Sequence, residues 1–279
     1  GGGRQAYGGN EVYAFSVPDL AWARLTLPSQ GPFGDDVLPD GTPAARHSFD
    51  QLEYLPPPAD KLYARGGVYF PTSNMSPNTF LLDLATLTWS RGTPMDNVDF
   101  GAGNMTAHDP VTGLVWEHGN SVLWSYDAAS DLWTARSDVN VSQGLGGTLA
   151  LDPVRRKLVR VGAGLAVVWD ISVDGVVPVS DLLTTGANEI QDCYAPGVDY
   201  DAGNDRLTAG CSGGDVNSLD LDRRVWTRHA PRSSVNPGDP FAVGTDGTYG
   251  RFRYVPQAGL FVVVTHVEQN VFFYRPAER

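Results

Sequence analysis

The stretch Phe80-Leu81-Leu82-Asp83-Leu84-Ala85-Thr86-Leu87-Thr88-Trp89 decides how this chain is read. An apolar run ends in a polar residue, and a tryptophan follows six positions later. The arrangement recurs as Tyr13-Ala14-Phe15-Ser16 with Trp22, Leu123-Trp124-Ser125-Tyr126-Asp127 with Trp133, and Asn217-Ser218-Leu219-Asp220 with Trp226. Short aromatic and aliphatic runs bounded by turn residues read as strands. Each copy is therefore two strands joined by a tight turn.

Upstream of each such pair lies another. The segments Pro56-Pro57-Pro58-Ala59-Asp60, Asp109-Pro110-Val111-Thr112-Gly113, Asp152-Pro153-Val154-Arg155-Arg156, Asp201-Ala202-Gly203-Asn204-Asp205 and Pro256-Gln257-Ala258-Gly259 join strand-like runs, a hairpin signal. The second strand then closes on Gly8-Gly9, Gly66-Gly67, His118-Gly119, Gly162-Ala163-Gly164 or Gly213-Gly214. A β-rich unit that recurs every ~40–50 residues marks a β-propeller blade. The expected fold is all-β: a single domain over 1–279, a six-bladed β-propeller of four-stranded antiparallel blades (strands a to d, axis to rim), or seven blades with more sequence upstream. The blades are placed at about 1–30, 44–94, 99–138, 143–181, 189–232 and 246–279. The first shows no strand a and the last no strand d, so N-terminal strands are expected to be missing from the chain. The fourth unit lacks its tryptophan, and 172–177 are expected to supply its outer strand. The repeated tryptophans are expected to fill the space between neighbouring blades.

The 279 residues suffice for a large core, and no apolar run approaches the ~20 residues of a membrane-spanning helix. With 20 basic and 32 acidic residues the net charge is −12, which argues against a general nucleic-acid binder. Of the basic residues only Lys61 and Lys157 are lysines; the rest are arginines, suited to planar recognition of carboxylates, or set by genomic composition.

Cys193 and Cys211 stand at equal distances from the turn near Ala202, so they should face each other across a hairpin. Opposed residues of an antiparallel pair lie near bridging range. A disulfide is expected over two buried thiols, and with it an oxidising compartment: secreted, periplasmic or extracellular.

The pattern of Gly-Gly, apolar run, Asp and Trp resembles kelch repeats and the galactose-oxidase-like propeller. Gly1-Gly2-Gly3-Arg4-Gln5-Ala6-Tyr7-Gly8-Gly9-Asn10-Glu11-Val12-Tyr13-Ala14-Phe15, with Arg46-His47 and Gly247-Thr248-Tyr249-Gly250-Arg251-Phe252-Arg253-Tyr254, is similar to a group of secreted bacterial kelch-type propellers. That resemblance implies histidine where this chain has Arg4. Copper oxidase chemistry does not carry over, because His47, His108, His118, His229 and His266 form no pair of the kind a galactose-oxidase site requires.

Strand a lines the channel of such a fold, so residues at the strand-a starts should gather at one mouth. They are Arg46, His47, Asn104, Asp192, Tyr194, Tyr249, Arg251 and Arg253, with Arg4 near by. This ring suits a carbohydrate or another extracellular ligand, bound without chemistry. An alternative is a polysaccharide lyase acting on uronate-containing glycans, similar to propeller-fold lyases that use His, Tyr and Arg. There arginine neutralises the uronate carboxylate, histidine or tyrosine takes the C5 proton and tyrosine protonates the leaving oxygen, with His47, Tyr194, Tyr249 and Arg251 as the residues for those roles. For each residue the competing reading is a strand-end cap. A third reading is a protein-interaction subunit of a surface assembly, using rim loops 30–44 and 232–246. No cofactor is expected. Asp35-Asp36 with Asp40, and Asp96 with Asp99, are loops able to hold a structural calcium, but none matches the Asp-x-Asp-x-Asp-Gly spacing, and solvated acidic loops are the reading adopted.

Overall fold

The computed structural model describes residues 7–95, 102–119, 121–137, 141, 145–231, 238–241, 247–266 and 268–277. Arg4, Asp96, Asp99 and most of loop 232–246 lie outside these residues. The chain divides into two compact units, 1–135 and 136–279.

The first unit opens with a hairpin of β1 (Tyr13–Ser16) and β2 (Ala21–Arg24). β3 (Arg46–His47) pairs with β6 (Val68–Tyr69) beside a four-stranded meander of β4 (Leu52–Leu55), β5 (Lys61–Arg65), β7 (Thr79–Asp83) and β8 (Thr88–Gly92). A second meander follows: β9 (Met105–His108), β10 (Val115–His118), β11 (Leu123–Asp127) and β12 (Leu132–Ala135). Leu55, Tyr63 and Leu81 of the first meander pack on Val115 and Tyr126 of the second, with Trp133 against them.

The second unit holds β13 (Thr148–Asp152), β14 (Lys157–Gly162), β15 (Leu165–Asp170) and β16 (Val179–Asp181) as one sheet. The next adds β17 (Thr185–Gly186) in parallel to the outer edge of a meander of β18 (Gly197–Asp201), β19 (Arg206–Gly210), β20 (Val216–Asp220) and β21 (Val225–His229). The last has three strands: β22 (Phe252–Val255), β23 (Leu260–Val263) and β24 (Phe272–Tyr274). Ala150, Val159 and Val161 meet Val198, Leu207, Leu219 and Trp226 in one core; Val216 meets Phe241, Phe252 and Phe261 in another.

The repeated signature has a physical cause. Asp83, Asp127 and Asp220 each end the third strand of a meander, and their carboxylates accept N–H groups of the turn: Ala85 and Thr86, Ala129, and Arg223. Ser16 does the same for Asp19 through its hydroxyl. Asp and Ser close turns this way because their short side chains reach the backbone two or three residues on. Each turn leaves through a left-handed residue, Leu20, Leu87, Asp131 or Arg224, at φ between 51° and 57°. The tryptophan then faces the residue before the polar one: Trp22 opposite Phe15, Trp89 opposite Leu82, Trp133 opposite Tyr126 and Trp226 opposite Leu219.

Several expectations are corrected. Among the described residues five sheets have three or more strands, so the blades number five and not six. Among the described residues, 7–30 contribute the β1–β2 hairpin rather than a blade. Four strands per blade is not uniform either, since the last sheet has three and the one before it recruits β17. In the fourth unit, 172–177 form a turn capped by Asp170, and the outer strand is β16, with Val179 opposite Trp169. The tryptophans are not all core: Trp226 is 1 % exposed but Trp22 is 52 % exposed.

Candidate functional site

The residues expected at a common mouth fall in both units: Arg46, His47 and Asn104 in the first, Asp192, Tyr194, Tyr249, Arg251 and Arg253 in the second. In the first unit Arg46 begins β3 and is buried. Its Nη1 donates to the Gly66 carbonyl at 2.9 Å, its Nε to Ala44 at 3.2 Å and its Nη2 to the Asp36 carboxylate at 2.6 Å, while the guanidinium lies 4.7 Å above the Phe80 ring. Asp36 also accepts from Asn78 at 2.6 Å and from Ser76. Asp36, expected as a solvated or calcium-binding carboxylate, is thus the hub of a loop clasp. His47 pairs with Val68, is half-buried, and lies 3.9 Å from the Phe49 ring.

Asn104 is fully buried and donates to Glu117 at 2.7 Å. Glu117, on β10, also accepts from Tyr63 at 3.2 Å and forms an ion pair with Arg65, both partners being fully buried. The Arg65 guanidinium lies 5.0 Å from the Trp133 ring. Burial pushes the Glu117 carboxyl above its usual range, against the pull of Arg65, Asn104 and Tyr63. Burial, reinforced by that carboxylate, drives the Tyr63 phenol well up. The sequence reading missed this network. Its one visible sign was an acid inside the apolar run Val115-Trp116-Glu117-His118.

The second unit holds Asp192, Tyr194, Tyr249, Arg251 and Arg253. A single 3₁₀ turn, Asn188–Asp192, ends at Cys193, which is bridged to Cys211 just beyond β19 with Cα atoms 6.3 Å apart. The expected disulfide is present, but not across the hairpin: the last β18–β19 pair is Gly197 with Gly210, and Cys193 reaches in from outside the strand. Tyr194 follows, 45 % exposed; Tyr249 is 2 % exposed. Their rings meet edge to face at 6.4 Å, and their hydroxyls stand 3.5 Å apart, at the outer limit of a hydrogen bond. Asp192, two residues before Tyr194, is exposed.

Backbone contacts arrange this pair. Ala195 donates to the Gly146 carbonyl at 2.6 Å, and its own carbonyl accepts the N–H of Thr248 at 2.7 Å and of Tyr249 at 3.2 Å. Gly146 has φ +92°, and a Cβ built there would stand 2.4 Å from the Tyr194 ring, so only glycine fits beneath it. Arg251 donates Nε to Thr248 O at 3.1 Å, Nη1 to Thr265 O at 2.8 Å and Nη2 to Gly247 O. Arg253 donates to Gly250 O at 3.1 Å and lies beside Asp199, whose carboxyl is raised by burial and pulled back by that arginine. Among the described residues no cluster of His, Cys, Asp and Glu has a metal-holding arrangement.

No family model matches the sequence, and no curated protein matches it either. Solved structures do match, with 570 chains, so the shape is a common one. The structure of YjhT has a TM-score of 0.61 at 10 % identity, covering 96 % of this chain and 92 % of that one. The β-propeller domain of Cps50 (Swd1) from Myceliophteria thermophila has a TM-score of 0.51 at 15 % identity, over 79 % of this chain and 63 % of that one. Both are β-propellers.

The fold is a β-propeller. At 10–15 % identity the likeness is one of fold alone, and unrelated functions share this architecture.

Proposed function

We propose that this propeller binds a hydroxyl-rich ligand, a carbohydrate in the first instance, outside the cytoplasm, and that Tyr194 and Asp192 form its contact surface, with the buried Tyr249 holding the Tyr194 ring in place. The observation that carries the reading is the exposed Tyr194 ring, braced edge-on by the buried Tyr249. A tyrosine held this way offers a rigid apolar face and a polar rim, a suitable platform for a sugar ring. Asp192 adds an acceptor for hydroxyls. The disulfide supports a secreted, periplasmic or extracellular location, since such bonds persist in oxidising compartments. The four equivalent Trp registers support a kelch-like type.

The lyase reading asks Arg251 to neutralise a uronate. Its Nε and Nη2 already donate to Thr248 and Gly247 of its own loop and its Nη1 to Thr265 beyond β23, so the guanidinium is held by backbone partners that fix the fold. Binding without turnover is therefore the reading adopted. Calorimetry against neutral and acidic oligosaccharides tests it. A ligand whose affinity falls at least about tenfold in Tyr194→Ala, with little change in melting temperature, is the expected result. Binding unchanged in that variant, or no ligand in the panel, defeats the assignment. A rise in ultraviolet absorbance from an unsaturated uronate product moves it to the lyase.

A further inference from the structure

We propose that the Cys193–Cys211 bridge is a redox latch on the tyrosine pair: with the bond closed the pair is held in its binding arrangement, and with the bond open it is released. The inference rests on the reading of Tyr194, braced by Tyr249, as a contact surface.

The latch is a short chain of contacts. Cys193 immediately precedes Tyr194, and its carbonyl accepts the N–H of Ala163 at 2.7 Å. Two residues on, Ala195 holds Gly146 through its N–H, and Thr248 and Tyr249 through its carbonyl. Ala195 and Tyr249 both adopt left-handed backbone, at φ 49° and 50°. Residues with a Cβ disfavour that region, and such conformations persist only where the surroundings over-determine them. Close packing does part of this work: Gly247, at φ +68°, would place a Cβ 2.1 Å from the Ala195 Cβ. The covalent restraint nearest these strained positions is the disulfide. It ties the segment that carries Tyr194 and Ala195 to the end of β19, whose Leu207 and Ala209 are wholly buried. Cutting it removes the tether at Cys193 while leaving β19 anchored in its core.

Cys211 is the more exposed of the two residues, since Cys193 is buried. A thiolate of a small dithiol attacks the Cys211 Sγ, the S–S bond breaks, and its electron pair leaves on the Cys193 Sγ, which takes a proton. The second thiol of the reagent then displaces Cys211 from the mixed disulfide. The protein gains two electrons and two protons, and the dithiol becomes a cyclic disulfide.

Hydrogen exchange on the full chain, with and without a dithiol, tests the latch and needs no ligand. Reduction should speed exchange at the Ala195, Thr248 and Tyr249 amides at least about tenfold while Leu207 and Leu219 stay protected. The Cys193→Ala/Cys211→Val variant should match the reduced protein in the absence of reagent. Unchanged protection at those three amides in both samples overturns the proposal. So does equal loss of protection throughout the second unit, which makes the bond a general staple. If the amides respond as expected but Tyr194→Ala leaves carbohydrate binding unchanged, the latch stands and the function assigned to the pair falls.

Discussion

Trp22 and Trp226 occupy the same place in the repeat and meet opposite fates. Each faces, across an antiparallel pair, the residue that precedes a turn-closing polar side chain. Each follows two residues after a left-handed backbone position. Yet Trp226 is 1 % exposed and Trp22 is 52 % exposed. Around Trp226 stand Leu219, Leu207, Val159 and Val161, drawn from two sheets of one unit. The β1–β2 hairpin supplies Trp22 with Phe15, at 5.1 Å between ring centres, and β2 is exposed along its length. The turn chemistry sets register within ten residues of chain. Burial depends on the next sheet, which local sequence does not supply.

The most damaging substitution should be Trp226→Ala, which strips a large side chain from a closed core and costs about 3–5 kcal/mol. Chemical denaturation measures it, and a loss below about 1 kcal/mol would mean that burial does not separate the two tryptophans. Arg65→Met should come close behind, because it leaves Glu117 buried without its counter-charge, at about 3–5 kcal/mol. Adding Glu117→Leu to that variant should recover much of the loss. A double variant no more stable than Arg65→Met would show that the pair is not energetically coupled. Trp22→Ala, by contrast, should stay within about 1 kcal/mol, since an exposed side chain forfeits little on removal. A loss as large as that of Trp226→Ala would put Trp22 inside an interface and erase the contrast.

The smallest effect concerns pH. Lys157 holds the Asp170 carboxyl down to about 2, below its ordinary 3.8, through a 2.7 Å contact. A carboxylate more acidic folded than unfolded stabilises the fold above the unfolded value, and that contribution fades as the pH drops from 3.8 toward 2. Both partners are partly solvated and screened, so the effect is slight. Stability of Asp170→Asn should lack this component of the acid-limb slope. Identical slopes in the two proteins would show that the contact carries no linkage.

The strands of the meanders were legible before any coordinates, because alternation, turn residues and the Asp-to-Trp spacing are short-range signals. The blade count was not. The stretch from Tyr13 to Trp22 carries the same signature as Phe80 to Trp89, yet one forms an isolated hairpin and the other the outer half of a meander. Arg46 and Arg251 were visible as guanidiniums with strand-end capping as the competing reading; which distant carbonyls they hold, Gly66 at 20 residues from Arg46 and Thr265 at 14 from Arg251, was not. Glu117 went unremarked because an acid in a strand usually faces water, and only the packing of β5 against β10 shows it meeting Arg65.

What residue order settled for this propeller is what ten neighbouring residues can enforce: where the hairpin turns of the meanders fall and which strands they join. What needed the folded chain is everything that depends on a desolvated neighbour: which tryptophan is core, which arginine is already engaged, which carboxylate is buried, and that Tyr194 rests against Tyr249. Hydrogen bonds within a turn act over a few ångströms of contiguous chain. Burial is a property of surfaces that meet only after distant segments have packed.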